Sequence, residues 1–153
     1  MGDFWKEGEV IIQEGRIRVP YAWKAGETAS RYFIGLRDEK KIYGRHCPKC
    51  GKVLVPARKV CPFCTVLTDD WVALAGTGTV ETFTIVRRDL PIQPRKAPFA
   101  YALIRLDGAD TGFLHLLGEV DPEAVREGMR VEAVFAQERK GSPLDIAYFR
   151  PLK

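Results

Sequence analysis

Hydrophobic positions change their period along the chain. Between residues 28 and 40 they follow a helical repeat, with Tyr32, Phe33 and Leu36 on one stripe and Arg31, Arg37, Asp38 and Glu39 free to face water. This predicts a helix from Thr28 to about Lys40. Upstream the chain reads as helical or irregular. Gly15, Pro20 and Gly26 punctuate it, and Arg16-Ile17-Arg18-Val19 alternates like a short strand. Phe4, Trp5, Tyr21 and Trp23 are conspicuous in a segment with so little core of its own. Either they pack onto the rest of the chain or they form an arm that covers a partner subunit.

Beyond residue 70 the period falls to two. Strands are predicted at Trp71–Leu74, Val80–Val86, Tyr101–Leu106 and Phe113–Leu117, around Val131, Ala133 and Phe135, and at Ile146–Phe149. Gly76 and Gly78 mark a bulge or a sharp bend. Asp107-Gly108-Ala109-Asp110 reads as a turn. Asp121-Pro122-Glu123 starts a short helix that ends near Gly128, with an N-cap and a proline at the first helical position. From Val80 onward the order is three strands, a short helix and two strands. That is the order of the OB-fold, a five-stranded Greek-key barrel. Residues 87–98 then join its first two strands, where such barrels hold ligands. A sandwich of the same elements is the structural alternative.

The chemistry is concentrated in four cysteines, Cys47, Cys50, Cys61 and Cys64. They form two C-x-x-C pairs with ten residues between them. Two such hairpins close four thiolates around a tetrahedral ion, whereas a redox motif needs one pair beside a βαβ unit. Cys47-Pro48-Lys49-Cys50-Gly51 has a proline to fix the turn and a glycine where a positive φ is convenient; Cys61-Pro62-Phe63-Cys64 repeats the proline but is followed by Thr65. Val53-Leu54-Val55 between them reads as a short strand. The pattern predicts a zinc ribbon, mainly structural because four thiolates leave no open position. Iron is the alternative ion, which would make the chain an electron carrier. His46 adjoins the first ligand and is expected beside the site or in solvent. The expected organisation is therefore mainly β: an N-terminal helical or irregular arm at 1–45, a rubredoxin-like zinc ribbon at 46–68 and an OB-fold at 69–153.

Length and charge bound the function. The 153 residues suit one domain or a small domain with a metal-stapled appendage. No apolar run approaches the roughly 20 residues needed to span a bilayer. The first residues, Met1-Gly2-Asp3-Phe4-Trp5-Lys6, lack the apolar stretch of a signal peptide, so a cytoplasmic location is expected. Net charge is +4, but residues 71–153 hold eleven basic and eleven acidic residues. That balance weakens a nucleic-acid reading. The exception is the segment 87–96, in which Arg87, Arg88, Arg95 and Lys96 face one acid, Asp89. It is either a solvated loop or an anion site for phosphates. Catalysis by this chain finds few groups. The four cysteines are committed to metal, only His46 and His115 exist, and Gly76-Thr77-Gly78 lacks the lysine and helix of a P-loop.

Several landmarks together resemble a known family. They are Gly15-Arg16-Ile17-Arg18-Val19-Pro20-Tyr21, Gly44-Arg45-His46-Cys47-Pro48-Lys49-Cys50-Gly51, Gly76-Thr77-Gly78-Thr79-Val80, Phe83-Thr84, Pro98-Phe99-Ala100-Tyr101 and Gly128-Met129-Arg130-Val131. The family is that of acyl-CoA-associated proteins with a rubredoxin-like zinc ribbon and a C-terminal OB-fold. The resemblance covers most of the chain. It implies a non-catalytic accessory subunit, bound in a hetero-oligomer to a thiolase-like enzyme that carries the catalytic cysteine. It also implies structural zinc, with CoA or an acyl-CoA thioester as ligand, which makes Arg87, Arg88, Arg95 and Lys96 the candidate CoA contacts. Within the family the chain looks most like small subunits of the benzylsuccinate (toluene) pathway thiolase, which would place benzoylsuccinyl-CoA as the substrate of the complex. A single-stranded nucleic-acid-binding OB-fold protein is the alternative function.

Overall fold

The computed structural model describes residues 12, 13, 15 and 19–152. The expected strand at 16–19 falls largely outside them, as do Phe4 and Trp5; Val19, Tyr21 and Trp23 are exposed and in no regular element. Helix α1, Glu27–Ile34, continues into one π turn, Gly35–Glu39, and stops at Lys40, whose φ of 52° leaves the helical region. The stripe faces inward as its period requires: Tyr32 and Leu36 are buried, Phe33 half-buried, and the four charged residues exposed.

Two sheets follow. The first has the order β2-β1-β3, with β1 at Ile42–His46, β2 at Val53–Leu54 and β3 at Trp71–Leu74, all antiparallel. The sequence pattern gave no strand to residues 42–46. Ile42 and Gly44 face inward there, and Gly44 is required because a β-carbon would lie 2.7 Å from Val53 Cγ1. The second sheet has the order β6-β5-β4-β7-β8. Its strands are β4 Thr77–Val86, β5 Phe99–Leu106, β6 Gly112–Leu116, β7 Arg130–Phe135 and β8 Ile146–Pro151. A parallel bridge between Leu117 and Phe149, with Gly118 N–H donating to the Phe149 carbonyl at 2.9 Å, joins the two outer strands and closes the barrel. Five strands closed in this order make the OB-fold, and the sandwich alternative falls away.

The bend expected in the first barrel strand is present. The β4–β5 register shifts between Val80 and Thr82, and a β-carbon on Gly78 would lie 2.5 Å from the Arg105 carbonyl oxygen. The short helix expected after Asp121 is a single 3-10 turn, Pro122–Ala124. Asp121 caps it as the sequence implies, but Val125 turns extended and carries its side chain into the core. The buried Val125 thus takes the place of the further turn that a helix reaching Gly128 would add.

One core serves both sheets. Tyr32, Leu36, Ile42, Val55 and Leu74 belong to the same buried cluster as Val80, Ile104, Leu106, Phe113, Val131, Ile146 and Phe149. The turn between β5 and β6 fastens the seam. Val53 N–H donates to Asp110 Oδ2, and Thr111 Oγ1 both accepts from Val55 N–H and donates to the Val55 carbonyl, each at 2.8 Å.

Candidate metal centre and the barrel loop

Each cysteine pair is held by a turn of the same design. Gly51 N–H donates to the Cys47 carbonyl at 2.8 Å and Cys47 N–H to the Lys52 carbonyl at 2.9 Å; Thr65 N–H to Cys61 and Cys61 N–H to Val66 repeat this at 2.9 Å each. The chain reverses at a left-handed residue in both: Gly51 at φ 70° and Thr65 at φ 55°. The two turns bring all four Sγ atoms within 4.8 Å of one another, and Cys50 Sγ lies 3.9 Å from Cys61 Sγ. A tetrahedron with metal–sulfur bonds of about 2.3 Å has edges of about 3.8 Å, so the cluster needs only slight contraction around an ion.

The thiols also shift each other's ionisation, in opposite directions at Cys47 and Cys64. Burial pushes the Cys47 thiol up, but the Cys50 and Lys49 backbone N–H groups outweigh it and bring it down to about 7. Contact with Cys50, then burial, pushes Cys64 up to about 12. Four adjacent thiols cannot all become thiolates without a cation, and a divalent ion supplies that charge. The donor set fits structural zinc: Cys47, Cys50, Cys61 and Cys64 would hold it, and its contribution there is to cross-link the two turns. No protein ligand is left over for an open position. His46 points elsewhere, with Nδ1 2.8 Å from Asp69 Oδ1.

The four loop cations are exposed, but they are not equivalent. Arg87 pairs with Glu123 at 2.5 Å. Arg95 Nη1 donates to the Leu117 carbonyl at 3.2 Å, which ties the loop to the end of β6. Arg88 and Lys96 form no ion pair among the described residues. Asp89 turns inward on its own loop and accepts from Ala97 N–H at 2.7 Å. A cavity of about 440 Å3 opens between Asp89, Leu90, Gln93, Arg95 and Lys96.

His115 is buried at 7% exposure, between Phe113 and Phe149 with ring centroids 5.7 and 5.6 Å away. Its Nε2–H donates to the Pro143 carbonyl at 3.2 Å, while Nδ1 has no partner. Burial lowers its pKa, so it is a neutral core residue. Phe113 also faces inward, packed on Phe149 at 6.0 Å. That leaves Tyr101 as the half-exposed aromatic of β5 and β6, a thin platform for stacked bases.

A closed four-cysteine ribbon joined to an OB barrel defines the class of protein. Two family profiles match its parts: "ChsH2, rubredoxin-like zinc ribbon domain" over residues 36–67 and "ChsH2, C-terminal OB-fold domain" over residues 71–136. The chain is similar to a "DUF35 domain-containing scaffold protein" of Pyrococcus furiosus, 34% identical over 105 residues, 69% of this chain and 76% of that one. A protein of the same description from Methanocaldococcus jannaschii is 32% identical over 127 residues, 77% of this chain and 86% of that one. The chain belongs to the ChsH2/DUF35 family. Two solved structures share the fold. The "Ltp2-ChsH2(DUF35) aldolase" has a TM-score of 0.61 at 22% identity, covering 84% of this chain and 98% of that one. A DUF35 protein of unknown function from Sulfolobus solfataricus has a TM-score of 0.62 at 25% identity, covering 83% and 87%.

Proposed function

We propose that the chain is a non-catalytic accessory subunit of a thiolase-type acyl-CoA enzyme complex. The observation that carries this reading is the joint fate of the nucleophiles. The sulfurs of all four cysteines converge within 4.8 Å of one another, a set that suits a closed metal site, and the one barrel histidine is buried and neutral. Acyl transfer through a cysteine thiolate with a histidine base therefore falls to another polypeptide. The relatives described as scaffold proteins, and the pairing of Ltp2 with a ChsH2 (DUF35) chain in an aldolase, support the same reading.

Within such a complex the loop at 87–98 would meet the phosphates of CoA. Arg88 and Lys96 are the cations with donors to spare, Arg95 shapes the loop, and Arg87 would have to leave Glu123 to contribute. A 3-oxoacyl-CoA is the substrate class, with benzoylsuccinyl-CoA its particular form. A cytoplasmic location follows from that chemistry, and no described helix is long and apolar enough to cross a membrane.

The test is purification of the tagged chain from nuclease-treated lysate of its source, followed by identification and assay of what accompanies it. A stoichiometric thiolase-like subunit, whose acyl-CoA activity falls in the Arg88→Ala/Lys96→Ala variant, is expected. Partners retained only with intact nucleic acid would overturn the reading.

A further inference from the structure

The ribbon carries a second feature that neither the metal nor the loop explains. The guanidinium groups of Arg31 on α1 and Arg45 on β1 both stack on the indole of Trp71, 4.5 and 4.8 Å from its centroid. Arg45 is braced by Thr68, with Nε 2.9 Å from its hydroxyl and Nη2 2.6 Å from its carbonyl. With Lys59, Leu67 and Thr28 these residues line a cavity of about 320 Å3. Glu27 and Lys59 continue it into a hollow of about 440 Å3, floored by Ala25, Gly26, Ala29 and Ala57.

Charge is unbalanced in this groove. Glu27 is the one acid in its lining, against three cations, and no ion pair joins it to any of them among the described residues. Residues 47–68 contain no acidic side chain at all. Stacking on the indole holds each guanidinium in place but does not cancel the repulsion between them. At the groove's edge Val60 and Leu67 face each other across the second cysteine hairpin, 45% and 62% exposed. An occupant must therefore bring carboxylates and apolar side chains together. A compact phosphate would leave the leucine, the valine and the alanine-lined hollow uncovered.

We infer that this groove docks an acidic, leucine-bearing segment of a partner protein. The inference rests on the accessory-subunit reading for the source of that segment, and its chemistry is tested without the enzyme. The probe is a fluorescein-labelled peptide repeating Glu-Glu-Leu, titrated with the zinc-loaded full chain and followed by anisotropy. Saturable binding that weakens with salt is expected. The Arg31→Ala/Lys59→Ala variant should weaken it by about tenfold, since two charge-assisted contacts are lost. Leu67→Ser should weaken it by a smaller factor, and Arg31→Lys should restore part of what Arg31→Ala removes. Zinc content of each variant reports that the ribbon is intact.

No saturable binding, or equal binding by wild type and the double variant, overturns the proposal. Displacement of the peptide by pyrophosphate or oligothymidylate at lower concentration than by unlabelled peptide also overturns it, and assigns the groove to phosphates. The accessory reading fails separately, if no enzyme accompanies the chain from lysate.

Discussion

The barrel and the ribbon solve the problem of staying folded in different ways. The barrel fills its interior with Val80, Ala102, Ile104, Leu106, Phe113, Val131, Ile146 and Phe149, none more than 6% exposed. The ribbon's own cluster is Cys47, Leu54 and Cys61, with Cys64 and Val66 at its edge. Three of those five are cysteines of the candidate metal centre. Apolar burial stabilises the barrel at roughly 25 cal/mol per Å2, and the ribbon has too little apolar surface to follow the same route. Yet the root of the ribbon belongs to the barrel, because Ile42, Val55 and Leu74 sit in the larger core. The ribbon is thus two things: a sheet that the barrel supports and a pair of cysteine turns with little apolar support of their own.

Removing the metal should break that comparison most strongly. Structural zinc contributes on the order of 10 kcal/mol of apparent binding free energy in small ribbons. Chelation, or Cys47→Ala at a fully buried ligand, should abolish hydrogen-exchange protection at the Cys47, Gly51, Cys61 and Thr65 amides. The amides of β5 should stay protected. If the whole chain instead melts in one transition with the metal, ribbon and barrel are one cooperative unit.

The next largest effect lies at the seam. Thr111→Val removes the hydroxyl that satisfies both the N–H and the carbonyl of Val55, a residue 1% exposed. Leaving two buried backbone groups unpaired should cost about 2 kcal/mol. Asp110→Ala, which acts on the more exposed Val53 N–H, should cost about 1 kcal/mol. Urea unfolding with two probes, Trp71 fluorescence in a chain stripped of the other tryptophans and far-ultraviolet ellipticity, would measure both. A seam variant that splits the two curves would show that the shared core alone does not couple the modules.

Much of this was legible in the residues because it depends on local spacing. The two C-x-x-C pairs fix their own turns, and five of the predicted strands became the five barrel strands. What was not legible depended on partners distant in sequence. Strand β1 is short, carries Gly44 and Arg45, and is a strand only because β2 and β3 pair with both its edges. The helix predicted after Asp121 shrank to one turn because Val125 is drawn into the core. The pairing of Arg87 with Glu123, 36 positions on, was likewise beyond the reach of local spacing. The Arg31–Trp71–Arg45 stack joins three elements, and no spacing rule could have announced it.

Acid should act on the barrel through His115. Burial holds the His115 imidazole below its ordinary pKa, and its Nδ1 has no partner to favour protonation. Below about pH 6.5 the unfolded chain binds a proton that the folded barrel refuses. Stability should therefore fall as pH drops from 6.5 until the folded imidazole itself titrates. His115→Phe removes that dependence and keeps a flat ring between Phe113 and Phe149. Its stability at pH 7.5 should change by no more than about 1 kcal/mol, the worth of the lost bond to Pro143. Urea midpoints at pH 7.5 and 5.5 would show a wild-type drop that the variant lacks.

The smallest effect separates the two cysteine turns themselves. They share hydrogen bonds and differ at the left-handed residue: Gly51 at φ 70° in the first, Thr65 at φ 55° in the second. A left-handed backbone costs a non-glycine residue roughly 1–2 kcal/mol, and a β-branched side chain sits badly there. Thr65→Gly relieves that cost. It also adds about 0.5–1 kcal/mol of backbone entropy to the unfolded chain, and loses the exposed bond from Thr65 Oγ1 to the Cys64 carbonyl. The balance should favour glycine by about 0.5 kcal/mol, read as a zinc affinity raised roughly twofold in a competition with a chromogenic chelator. Gly51→Thr should do the opposite, lowering affinity by about tenfold, because the strain enters a turn built without it. If Thr65→Gly weakens zinc binding instead, the threonine hydroxyl matters more than its backbone, and the two turns are less alike than their geometry implies.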